Sequence, residues 1–137
     1  RLSLVGSEMC IRDSYRPWFV TKMFWEGTPE NLKHFVANPE NGSSHNKGCA
    51  IDIGLYDIET GESIDMISGY DEFTERAYSN YMGGSKKQRD IRDILIKVME
   101  KNDFTVYEYE WWHFNYNKCD SGIMNYSFSE LDSLNSV

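Results

Sequence analysis

Histidine is scarce in this sequence, with His34, His45 and His113 the whole complement, and two of the three stand in company that can do chemistry. His45 lies in Ser43-Ser44-His45-Asn46-Lys47-Gly48-Cys49-Ala50-Ile51-Asp52, and His113 closes Glu110-Trp111-Trp112-His113. A catalytic zinc site takes three protein ligands from His, Asp or Glu and keeps one position open for water. His45, Asp52 and His113 supply such a set, and Glu110 is left over to act as a base. Each residue also has a plainer explanation. Asp52, between the small residues Ala50 and Gly54, fits an exposed strand face as well as a metal pocket. Glu-Trp-Trp-His fits an aromatic core strand that ends in a satisfied histidine. His34 sits beside an apolar stripe with no carboxylate at ligand spacing and reads as a surface or packing histidine.

The elements that must position these residues follow from periodicity and turn chemistry. Pro17 can open a helix through Trp18–Trp25 that Gly27 ends, and Thr28-Pro29 can start a second short helix carrying Leu32, Phe35 and Val36. Asn38-Pro39-Glu40-Asn41-Gly42-Ser43-Ser44 is dense in turn formers and predicts a loop that delivers the chain to His45. From Cys49 to Tyr56 the period is two, with Ile51, Ile53 and Leu55 on one face and Ala50, Asp52 and Gly54 on the other, so a strand is expected. Asp57–Gly61 reads as a hairpin turn into a further strand at Ser63–Met66, and Tyr70–Arg76 as a loop. Ser85 with Gln88 forms a capping box before Ile91, Ile94, Leu95 and Val98, which predicts a helix over 86–101. Phe104 to Phe114, rich in aromatic and β-branched residues, predicts one central strand covered on both faces. Glu110 and His113, three apart, fall on opposite faces of a regular strand, so a shared site requires the chain to bend or bulge near Trp111-Trp112. The order of elements predicts an α+β domain with an antiparallel sheet and flanking helices.

Composition narrows the function classes. The chain has 137 residues, the size of one domain, and a formal net charge of −8 that argues against nucleic-acid binding. Lys86-Lys87-Gln88-Arg89 reads as an exposed helical turn. The cysteines Cys10, Cys49 and Cys119 show no paired spacing, so they are expected as thiols. No apolar run approaches the roughly 18 residues of a membrane span, and the visible start carries no targeting signal, which leaves the compartment open between cytoplasm and periplasm.

Two resemblances add to this reading. Ser43 to Asp52 fits the Ser-x-His-x-x-Gly-x-Ala-x-Asp signature, and Glu110 to His113 the Glu-x-x-His signature, of the D-alanyl-D-alanine dipeptidase family of zinc metallopeptidases. The similarity runs from Tyr15-Arg16-Pro17 to Tyr126-Ser127-Phe128. It implies one zinc ion on His45, Asp52 and His113, Glu110 as catalytic base, Arg16 on the oxyanion, and Ser43 and Asp71 holding a small dipeptide substrate. A D,D-carboxypeptidase of the related zinc superfamily, and a fragment that binds zinc without turnover, are the alternatives; oligomeric state is left open. Separately, residues 1–14, with Met9-Cys10-Ile11-Arg12-Asp13 the most telling stretch, resemble the translated end of a sequencing-library transposon. The natural chain is then expected to begin near Tyr15, with 15–137 a dipeptidase domain incomplete at its N-terminus; a genuine strand at Leu2–Val5 is the other reading.

Overall fold

The structure, a computed structural model, describes residues 6–134. The chain divides into two compact units, one formed by residues up to Asp13 with Ile51–Cys119, the other by Ser14–Ala50 with the segment from Asp120 onward. Leu2–Val5 lies outside the described residues.

The first unit is built on a four-stranded sheet of β1 (Ser7–Asp13), β2 (Ala50–Asp57), β3 (Phe104–Tyr107) and β4 (Glu110–Tyr116), in the order β1-β2-β4-β3. The strand β1 is an addition to the expected elements. It pairs antiparallel with β2 from Ser7 opposite Asp57 to Asp13 opposite Asp52, and its weak alternation reflects an edge strand with Met9 and Ile11 exposed. The period-two pattern of β2 holds: Ile53 and Leu55 enter a core with Met66, Ile67, Ala77, Leu95, Met99, Trp111, Trp112 and Phe114.

A helix at Lys86–Glu100 begins at the capping box read from sequence, where Ser85 Oγ accepts from Gln88 N and the Gln88 side chain returns to the Ser85 amide. It packs on β3 and β4 and sends Leu95 and Met99 into the core. Its buried Arg92 donates to the Tyr81 carbonyl and pairs with Asp93. Arg89 donates to the carbonyls of Met82, Gly83 and Gly84 and so holds the preceding loop.

Two expectations need correction here. The stretch 104–114 is a hairpin of β3 and β4 and not one strand, because its aromatic residues continue through the turn and mask it. Ser63–Met66 makes an isolated bridge from Ser63 to Tyr56 and no strand.

The second unit contains α1 (Trp18–Gly27), which names the helix at Lys86–Glu100 as α2, and α3 (Phe128–Leu134). A short 3-10 helix at Glu30–Phe35 follows Pro29, which occupies the cap position itself. The segment after Ser121 is laced to the start of α1: Trp18 N donates to Met124 O, Phe19 N to Asn125 Oδ1, and Tyr15 hydroxyl to Tyr126 O. Cys49 and Cys119 are disulfide-bonded, against the expectation of thiols, and Cys10 is free. No helix among the described residues is long and apolar enough to cross a membrane.

Candidate functional site

In the first unit, the site is made by a slip in the β3–β4 ladder. Val106 pairs with Phe114, but the next pair is Tyr107 with Glu110, where a regular ladder would continue to His113. The strand buckles over Trp111-Trp112-His113, and Glu110 and His113 are brought to one side: Glu110 Oε2 lies 3.9 Å from His113 Nδ1. The bend that the Glu-x-x-His spacing demanded is therefore present.

Asp52 meets them from β2. Its Oδ1 is 3.1 Å from His113 Nδ1, while His113 Nε2 lies 3.1 Å from Asn115 Oδ1. Asn115 thus places the ring proton of a neutral imidazole on Nε2 and turns Nδ1 toward the carboxylates. Asp52 is 3% and His113 8% exposed, which excludes the exposed-face reading of Asp52. Two carboxylates face one imidazole nitrogen where little water reaches, an excess of negative charge that a divalent cation would offset.

Tyr70, which the sequence placed in a loop beside Asp71 without a role of its own, donates its hydroxyl to Asp52 Oδ2 at 3.0 Å and lays its ring 5.5 Å from that of Trp112. Burial, then the charges of Asp52 and Asp71, hold this phenol protonated far above its ordinary value of 10.0. Tyr107, whose ring is edge-on to His113 at 5.6 Å, is pushed in the same direction, by burial first and by Glu110 next.

In the second unit, the predicted loop after Asn38 closes in a 3-10 helix at Ser44–Lys47, with Ser43 as its cap and Gly48 ending it in the left-handed conformation at φ 64°. His45, 2% exposed, sits in this turn with Nδ1 2.7 Å from the Ser14 carbonyl. That carbonyl fixes the proton on Nδ1 and leaves Nε2 as the basic nitrogen of the neutral ring, the arrangement that orients ligating histidines. The Arg16 amide donates to the His45 carbonyl at 3.1 Å, and its guanidinium lies 5.0 Å from the centre of the Phe24 ring. Ser43 Oγ accepts from the His45 amide.

Asn46, completely buried, ties these together and was missed. Its Oδ1 accepts from Ser43 N, its Nδ2 donates to Arg16 O and Thr21 Oγ1, and its carbonyl accepts from Met124 N. The Ser43-x-x-Asn46 spacing of a capping box was the signal that could have found it.

The structure thus brings Asp52, Glu110 and His113 together in one unit and Arg16, Ser43 and His45 together in the other. Asp71 is exposed, in the left-handed conformation at φ 57°, and its charge acts on the neighbouring Tyr70. His45 in the one unit and Asp52 and His113 in the other are each buried, and each is a residue type that can ligate a metal ion. His34 is exposed and stacks against Phe35, as expected.

A family model described as D-Ala-D-Ala dipeptidase, peptidase M15, matches residues 1–133. The D-alanyl-D-alanine dipeptidase of Escherichia coli (strain K12) is 34% identical over 81% of this chain and 56% of its own length. Those of Enterococcus faecalis (strain ATCC 700802 / V583) and Enterococcus faecium are 31% and 33% identical, each over 80% of this chain and 62% of the relative. The chain spans less than two thirds of the length of these relatives.

Proposed function

The chain belongs to the D-Ala-D-Ala dipeptidase family of M15 peptidases, and from that premise we propose that it hydrolyses D-alanyl-D-alanine to two D-alanines with zinc held by His45, Asp52 and His113. The observation that carries the reading is the buckle in β4, which sets the carboxylate of Glu110 beside the imidazole that Asp52 already faces. Two imidazoles and one carboxylate are the donor types of a catalytic zinc site, and each is buried in its own unit, with the Ser14 carbonyl on the outer ring nitrogen of His45 and Asn115 on that of His113.

Zinc bound there would polarise the scissile carbonyl and lower the pKa of water from about 16 toward about 7. The chain's own groups do the rest. Glu110 takes a proton from the water as it adds to the carbonyl carbon and passes it to the leaving amine, so that the C–N bond breaks as the carbonyl re-forms. Arg16 meets the negative charge that develops on the carbonyl oxygen. Asp71 suits the ammonium end of the dipeptide. Ser43, whose Oγ already accepts from the His45 amide, has its hydroxyl proton to offer the substrate.

The test is bound zinc and D-alanine release from D-Ala-D-Ala by the purified chain, beside Glu110→Ala. Stoichiometric zinc in both, with turnover lost by on the order of a hundredfold or more in the variant, is expected. Zinc without dipeptide cleavage, but with trimming of longer stem peptides, would replace this reading with the carboxypeptidase one. A chain that takes up no zinc would end both.

A further inference from the structure

The hydroxyl of Tyr70 has no role in the proposed reaction, yet it reaches the one carboxylate in the donor set. The contact comes from a loop held at several points. Trp111 Nε1 donates to Ser68 Oγ at 2.9 Å, and Gly69 N to Glu72 Oε2 at 2.9 Å. Arg76 donates to the Ile67 carbonyl at 3.1 Å and pairs with Glu72 at 3.4 Å. The Tyr70 ring rests on Trp112, a residue of β4 that is itself completely buried. The two oxygens of Asp52 are therefore distinguished: Oδ2 accepts from Tyr70, and Oδ1 faces His113.

We propose that Tyr70 is a positioning residue that confines Asp52 to ligating the metal through Oδ1 alone. The inference rests on the zinc reading above. A catalytic site with three protein ligands keeps its fourth position for water, and a carboxylate free to turn both oxygens inward would occupy that position. A hydrogen-bond donor on Oδ2 prevents the turn. Partners of this kind around a ligand are worth on the order of tenfold or more in metal affinity.

The test is Tyr70→Phe, which keeps the ring on Trp112 and removes only the hydroxyl. Cobalt(II) substituted for zinc reports coordination number, because its visible absorption weakens when four-coordination gives way to five or six. In Tyr70→Phe the cobalt absorption is expected to weaken and zinc affinity, measured by competition with a chromogenic chelator, to fall about tenfold. An unchanged cobalt spectrum overturns the inference even where the unfolding midpoint has moved, since the hydroxyl would then only steady the loop. If the unaltered chain binds neither cobalt nor zinc, the metal reading itself fails and the inference goes with it.

Discussion

Glu110 and Asp52 carry the same functional group in different surroundings, and the proposed reaction gives them different parts. Asp52 accepts from Tyr70 and faces His113, so both oxygens are engaged; Glu110 touches the same imidazole at the longer distance of 3.9 Å, a placement suited to moving a proton. Asn46 works at one remove. Replacing it with Ala would leave the Ser43 amide, the Arg16 carbonyl and the Thr21 hydroxyl without the partner each has now. Each unmade buried hydrogen bond costs about 1–3 kcal/mol, so Asn46→Ala is expected to lower unfolding stability in urea by more than about 2 kcal/mol. The proposed ligand set could be named from the sequence because His45 and His113 are two of only three histidines and fall in the two family motifs, whereas Asp and Glu, 22 in all, are too common to single out on their own. Asn46 and Tyr70 were missed because their importance lies in whom they bond to: the Ser43-x-x-Asn46 spacing was there to be read for the first, and a tyrosine in a loop gives no comparable signal.

At the scale of elements, local rules read true wherever local chemistry decides. The capping box at Ser85 and the i, i+3, i+4 apolar spacing gave α2 nearly to its ends. The β3–β4 hairpin stayed hidden because Glu108-Tyr109 is a turn without glycine, proline or asparagine. The 3-10 helix at Ser44–Lys47 was absorbed into a run of turn formers. The Tyr70 loop has an electrostatic latch of its own. Glu72 accepts from the Thr74 hydroxyl and the Gly69 amide and pairs with Arg76, which together hold its carboxyl below the ordinary 4.5. A depressed folded-state value means that the stabilisation is complete above pH about 4.5 and is lost as pH falls through that lower value. Glu72→Gln is therefore expected to lower the unfolding midpoint at neutral pH, where the carboxylate's stabilisation is complete, to change it little at pH well below that depressed value, and so to flatten the acid limb of the stability profile. An acid limb as steep as that of the unaltered chain would show that this latch is not what acid releases.

For the molecule as a whole, a metal that binds only the folded chain adds to its stability in proportion to the logarithm of its concentration. Free zinc at a hundred times its dissociation constant should contribute about 2.7 kcal/mol. Thermal unfolding with zinc and with a chelator should differ accordingly, and identical midpoints would mean that folding and metal binding are not linked. The α+β architecture and its antiparallel sheet were legible from the order of elements; β1 was not, since an edge strand with Met9 and Ile11 outward lacks the alternation of a buried one. The slip between Val106 and Tyr107 also limits how far this chemistry can travel. Copying Glu110 to His113 onto an ordinary β-strand in another protein would send the two side chains to opposite faces, and the pair would be separated by the sheet itself. Anyone wishing to transplant the pair must carry the whole hairpin from Phe104 to Tyr116, because the irregular ladder, and not the four-letter motif, sets both side chains on one side.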